Sequence, residues 1–363
     1  MKIARVDSWV RRVELTRPYV ITQQATAAVD LVVLRLEADD GSVGLGSATP
    51  EPAITGETLE ASTAALDPAA LAWLPGRNVS DHVELARTAR AAAASTPGAC
   101  AALDMALHDL QARHLGVPLV DMLGRVHEAL PTSITIGIKP LAETLAEAEE
   151  YMARGFRCLK VKIGLSVVED IERIVRLRER IGDAATIRVD ANQGYGIDEL
   201  LLLLRATADA DLELVEQPLP PGGEDTLRGL AASTRMLMAA DESLMDERDA
   251  ATLSLEPRPY GNFVVKLMKC GGIGPALAIA ATADAAEVDL MWGCMDESAI
   301  GISAALHAAF ACRRTRYLDL DGSLDLDGDV AGGGFVLEHG IMRTLDRPGL
   351  GVELHDRHPF SSP

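Results

Sequence analysis

Three lysines and three acids in this chain are spaced as if they serve one reaction. Lys160 and Lys162 belong to the strand-like run CLKVKIG (158–164), and Lys266 to NFVVKLMKCGG (262–272). Residues two apart on a strand share a face, so Lys160 and Lys162 point together, away from Leu159, Val161 and Ile163. Asp190, Glu216 and Asp241 each end an apolar run and follow one another at intervals of 26 and 25 residues. That regularity puts three carboxylates at one height on three neighbouring strands. Carboxylates that face one another need a cation, and hard oxygen ligands at an open site suit Mg²⁺. A single acid in such a place could instead cap the next helix; three in register favour the metal. Lysines that are close together and partly desolvated are expected to have lowered pKa values, which makes them usable bases near neutral pH. A metal between two such lysines would stabilise an enediolate, the anion left when a proton is removed beside a carboxylate.

The elements that must position these groups alternate strand with helix. From about Pro131 the runs TSITIGIK, CLKVKIG, TIRVDANQ, LELVEQP, MLMAADES, NFVVKLMK, VDLMWGCMDES and TRYLDLDG read as strands. Amphipathic stretches such as DIERIVRLRERIG and IDELLLLLRATADA lie between them. Eight alternations predict parallel strands closed into a (β/α)8 barrel, whose working groups gather at the C-terminal strand ends. Before the barrel, Met1 to about Gly46 alternates like an antiparallel sheet, with a hairpin turned at Asp39-Asp40-Gly41. From Thr58 to Gly124 the pattern is helical and Ala-rich, with a stop at Gly116-Val117-Pro118. The expected division is an α+β N-terminal capping domain over 1–125, completed by a tail from about 325 to 363, and a barrel over 126–324.

Composition narrows the partners. The 363 residues carry a formal charge of −20, with 48% apolar residues. No basic patch is available for nucleic acid, and no apolar run reaches membrane-spanning length. The five cysteines are scattered, with no CxxC pair, as expected for a reducing cytoplasm. GGIGPA (271–276) follows the sixth strand and reads as a tight βα turn rather than a phosphate loop. No HExxH or GxSxG motif is present. His108 and His114 read as structural residues of the capping helix, and Trp292 as barrel packing.

KVK, DAN, VEQP, ADES and KLMKCGG, in this order and spacing, resemble the muconate-lactonizing-enzyme subgroup of the enolase superfamily. The likeness extends to the N-terminal region, through TGET (55–58) and ALDMALHDLQARHLGVPLVDMLGR. It implies an enolase-like modified barrel. It implies Asp190, Glu216 and Asp241 as Mg²⁺ ligands, Lys162 and Lys266 as the acid/base pair on opposite faces of the substrate, and Lys160 as a neighbour that tunes Lys162. Such proteins are often homo-oligomers.

Asp319-Leu320-Asp321 points to one branch. Two acids facing one way at the mouth suit an ammonium group, and the pair resembles the Asp-x-Asp of dipeptide epimerases, which holds the dipeptide's free amino end. The implied reaction is a 1,1-proton transfer at the C-terminal residue, L,L to L,D and back. Cycloisomerases and o-succinylbenzoate synthases act on anions, and N-acylamino-acid racemases on blocked amines; none of them has a use for that clamp. A calcium loop in DLDGSLDLDGDV lacks the required Gly and Glu positions. Family members acting on L-Ala-L-Glu tend to carry an Arg near residues 18–28; here PYVITQQATAA has no cation. Asp296, in GCMDES, adds an acid at the mouth. The expected substrates are therefore dipeptides with Lys or Arg side chains.

Overall fold

The computed structural model describes residues 1–20 and 25–355. The N-terminal sheet is antiparallel, in the order β1 (Ile3–Val20), β2 (Ala25–Ala38), β3 (Val43–Ala48). Five helices follow: α1 (Pro52–Thr55), α2 (Leu59–Ala65), α3 (His82–Ala92), α4 (Pro97–Leu115) and α5 (Leu119–Leu123). Helix α4 is apolar nearly all round and buried from Gly98 to Ala112, because it lies between the sheet and the barrel. Gly44 and Gly46 on β3 allow that contact: a Cβ at 46 would stand 1.8 Å from the Ala102 carbonyl oxygen. The helix ends at Gly116, which is left-handed with φ 72°.

A short β4 (Leu130–Pro131) leads into the barrel strands: β5 (Ile134–Ile136), β6 (Cys158–Lys162), β7 (Thr186–Asp190), β8 (Leu212–Glu216), β9 (Met238–Ala240), β10 (Asn262–Val265), β11 (Asp289–Gly293) and β12 (Thr315–Asp319). They form one parallel eight-stranded sheet in sequential order. A parallel bridge between Thr132 and Leu318 closes it. The outer helices are α6 (Leu141–Ala153), α7 (Val167–Ile181), α8 (Ile197–Ala206), α9 (Glu224–Arg228), α10 (Ala232–Leu237), α11 (Glu247–Leu253), α12 (Leu267–Cys270), α13 (Ile273–Ala285) and α14 (Ala299–Phe310). All eight strands expected from the sequence are present. Helix α7 shows the usual logic: Ser166 caps it, and Ile174, Leu177 and Ile181 face the sheet.

Side-chain alternation builds the barrel interior. Leu159, Val161, Val189, Val215, Val265, Trp292 and Leu318 face outward into the main core. Leu214, Ala239, Val264, Met291 and Tyr317 face inward as a plug, and the Arg188 guanidinium lies 4.7 Å from the Tyr317 ring centre. Two residues further along, the inward positions are Asp190, Glu216, Asp241, Lys266, Gly293 and Asp319. The chemistry therefore sits one layer above an apolar floor.

The tail supplies β13 (Ala331–Gly333), β14 (Phe335–Glu338), β15 (Ile341–Thr344) and β16 (Val352–Leu354). It runs back to the N-terminal region: Leu326 bridges to Leu15, and Gly349 to Pro118. Asp109 of α4 accepts N–H bonds from Leu45 at 2.9 Å and Leu350 at 2.7 Å, and a third bond from Arg113. Among the described residues, no helix is long and apolar enough to cross a membrane.

Candidate active site

Lys162 and Lys266 stand four strands apart and each meets one of the acids. The Lys162 ammonium is 2.7 Å from Asp190 Oδ2 and 3.1 Å from Asn192 Oδ1. Lys266 is 2.7 Å from Asp241 Oδ2. Lys160, buried between them, holds Asp319 Oδ2 at 2.7 Å, Glu216 Oε2 at 2.8 Å and Asp190 Oδ2 at 3.1 Å. The acids do not cap the helices that follow their strands; α8, α9 and α11 are capped at Gly196, Gly223 and Asp246.

These contacts correct the expectation of a lowered pKa for Lys160 and for Lys266. Burial does press the Lys160 ammonium downward, but Asp319, Glu216 and Asp190 outweigh it and hold its pKa well above the ordinary value. Lys266 is raised in the same way: burial opposes, and Asp241 and Glu216 prevail. Proximity to like charge was the wrong guide, because buried carboxylates stand 2.7–3.1 Å from the Lys160 and Lys266 ammoniums.

The acids divide by environment. Burial opposes ionisation of Asp190, but Lys162 and Lys160 bring it below the usual carboxylate range. Lys266 and Lys269 do the same against burial for Asp241. Glu216 is pushed well up by burial and then by Asp190, and its buried Oε1 has no hydrogen-bond partner. Hard oxygen donors on three adjacent strands, one with an unpartnered buried oxygen, fit a divalent cation. Among the described residues no three acidic, His or Cys groups are already drawn into a closed cluster, since each of these acids is turned toward a lysine.

A cavity opens above this layer, lined by Lys160, Lys162, Asp241, Lys266, Asp296, Asp319 and Asp321. The residues expected at the mouth are thus brought together, while Asp190 and Glu216 do not line the cavity and lie behind Lys160 and Lys162, which bond them. The Asp319-Asp321 pair is not symmetric. Asp319 accepts from Ser133 Oγ at 2.6 Å as well as from Lys160; against burial, Lys160 holds it below the usual range. Asp321 accepts the Thr135 N–H at 2.6 Å, and burial followed by Asp319 pushes it up to about 7. Asp296 lies partly exposed at the rim.

Several groups were not assigned from sequence. Lys269, one turn beyond Lys266, bonds Asp241 Oδ1, the Asp241 carbonyl and the Val264 carbonyl. The repeated lysine in KLMK was its signal. Arg17 and Glu51 reach the cavity from the N-terminal domain, and no local pattern marks them. Residues 21–24 of the cation-free loop lie outside the described residues. Arg17, just before that loop, is taken by Glu150 at 2.5 Å and approaches Glu147 at 3.8 Å.

Residues 5–124 match the model for the mandelate racemase / muconate lactonizing enzyme N-terminal domain, and residues 143–358 the enolase C-terminal domain-like model. The chain belongs to the enolase superfamily. Within this family it is 52% identical to the L-Lys-D/L-Arg epimerase of Desulforapulum autotrophicum, over 97% of this chain and 99% of that one. It is also 52% identical to the L-Lys-D/L-Arg epimerase of Methylococcus capsulatus, over 98% of this chain and 100% of that one. The crystal structure of the Methylococcus capsulatus dipeptide epimerase complexed with Mg and the dipeptide L-Arg-D-Lys superposes with a TM-score of 0.96, at 52% identity, over 98% of this chain and 100% of that chain.

Proposed function

We propose that this protein is a Mg²⁺-dependent dipeptide epimerase that inverts the α-carbon of the C-terminal residue and prefers dipeptides with cationic side chains. The observation that carries the reading is the placement of Lys162 and Lys266 four strands apart around one cavity that Asp241, Asp319 and Asp321 also line. The 52% identity to two L-Lys-D/L-Arg epimerases supports the substrate class.

In this reading Asp190, Glu216 and Asp241 hold the metal, which when bound supplies positive charge against the charge that builds on the substrate carboxylate. One lysine, released from its carboxylate partner and neutral, takes the α-proton; the bonding pair passes into the carboxylate as an enediolate. The other lysine, as ammonium, returns a proton to the opposite face. The roles exchange with direction. Asp321, with Asp319 behind it, receives the dipeptide's ammonium, which draws the Asp321 carboxyl back toward ionisation. Lys160 keeps Asp319, Glu216 and Asp190 oriented. Asp296 and Glu51 place carboxylates in the cavity lining, which suits Lys and Arg side chains better than glutamate.

We assign 1–125 as the cap, completed by the tail from about 325, and 126–324 as the catalytic barrel. We place the protein in a reducing, cytoplasmic setting, with its five cysteines free. The test is chiral chromatography of L-Lys-L-Arg incubated with protein, with and without Mg²⁺. A new L,D epimer that requires Mg²⁺ supports the assignment. Turnover of N-succinyl-arginine alone, or of L-Ala-L-Glu alone, would replace it with the corresponding activity.

A further inference from the structure

The inward position at the end of β11 carries no side chain, and the reason is visible on the neighbouring strand. Val265 pairs with Trp292, so Lys266 stands level with Gly293; Gly293 in turn pairs with Asp319. Met291 faces inward and Trp292 outward, so alternation aims position 293 into the mouth. A Cβ there would stand 3.1 Å from Lys266 Cε, 3.4 Å from Lys266 Cγ and 3.2 Å from Val264 Cγ1. The first of these is well inside ordinary carbon–carbon contact. The backbone at 293 is not left-handed, so conformation does not call for glycine. Space does.

We propose that Gly293 is a positioning residue for Lys266: its missing side chain forms the slot along which the lysine stem runs to present its ammonium beside Asp241. Lys162 stands on the other side of the ring, fixed by Asp190 and Asn192. A methyl at 293 therefore displaces one base and leaves the other in place. The inference rests on the epimerase reading, in which each lysine serves one face of the α-carbon.

The two faces are read separately by proton exchange. A lysine that removes the α-proton in D₂O can return a deuteron to the same face, giving label without inversion. The experiment follows deuterium entry into L-Lys-L-Arg and L-Lys-D-Arg, and their interconversion, for wild type, Gly293→Ala, Lys266→Gln and the double variant, all with Mg²⁺. Lys266→Gln identifies the epimer whose exchange depends on Lys266. Gly293→Ala is expected to lower that epimer's exchange, and overall inversion, by about tenfold to a hundredfold, the scale of a small misplacement of a reacting group. Exchange of the other epimer should stay within about twofold. The double variant should be no worse than Lys266→Gln alone. Equal losses on both faces, no loss on either, or additive losses in the double variant overturn the inference. A Mg²⁺ titration of Gly293→Ala by calorimetry, matching wild type, separates misplacement from misfolding, and a mismatch also counts against a local role. Absence of exchange in the wild type defeats the epimerase reading itself.

Discussion

Lys160 joins the acids at the ends of three strands. Its ammonium meets Asp319, Glu216 and Asp190 together, so replacing it strands three buried acids. Lys160→Met is expected to lose about 3–5 kcal/mol of unfolding free energy. Urea unfolding in EDTA checks this, and Mg²⁺ should recover part of the loss by neutralising two of the same acids. Equal loss with and without Mg²⁺ would separate Lys160 from the metal site. Asp296 belongs at the same scale. Asp296→Asn is expected to reduce kcat/KM for Lys- and Arg-containing dipeptides by about tenfold, about 1.4 kcal/mol, relative to alanine-containing ones. An unchanged ratio removes Asp296 from specificity. The identities of these groups were readable in the sequence, because residues 190, 216, 241, 266 and 319 fall at strand ends. Their protonation was not: the spacing brought lysine near lysine and did not reveal which carboxylate each would meet.

Elements rather than residues decide how the mouth is held. The β12 exit packs on the β11 exit so closely that a Cβ at Gly322 would stand 2.1 Å from the Met295 carbonyl oxygen, which ties Asp321 to Asp296. Glu297, at the start of α14, is buried; one oxygen accepts the Met295 N–H at 3.0 Å and the other has no partner. Burial pushes its pKa from 4.5 up to about 7. A raised acid binds its proton more tightly folded than unfolded, so its stabilising contribution is present below about pH 4.5 and is lost as pH rises through about 7. The loss amounts to about 3 kcal/mol. Glu297→Gln should flatten that part of the stability profile, so that urea unfolding at pH 5 and pH 8 differs less than in the wild type. Parallel profiles would mean that Glu297 does not titrate there. Eight strands were legible because short apolar runs alternated with amphipathic helical stretches along the chain. The β11 and β12 exits were legible only as acids, since the glycines that bring them together act across strands.

At the scale of the molecule, the N-terminal sheet, its buried helix and the returning tail meet on Asp109. Asp109→Ala removes the acceptor for two buried N–H groups and for Arg113, at about 1–3 kcal/mol for each stranded donor. Thermal unfolding should show the loss, and limited proteolysis should release the tail from about 325 onward before the barrel. A variant as resistant as wild type would mean that the tail is held elsewhere. This junction was not legible: Asp109 sits in an apolar helix, and its partners Leu45 and Leu350 are distant in sequence. The same holds for Arg17 and Glu51, which reach the cavity only because the N-terminal domain lies over the barrel mouth. Sequence alternation defines a barrel; it does not say which cap residues will overhang it.

The most direct measurement offers the protein pooled L,L-dipeptides with Mg²⁺ in D₂O and reads by mass spectrometry which gain one deuterium. The account predicts label in Lys- and Arg-containing dipeptides, lost with EDTA and lost in a Lys162→Ala, Lys266→Ala double variant. Label confined to Ala-Glu or to hydrophobic dipeptides would contradict the specificity, and no label in any dipeptide would contradict the reaction.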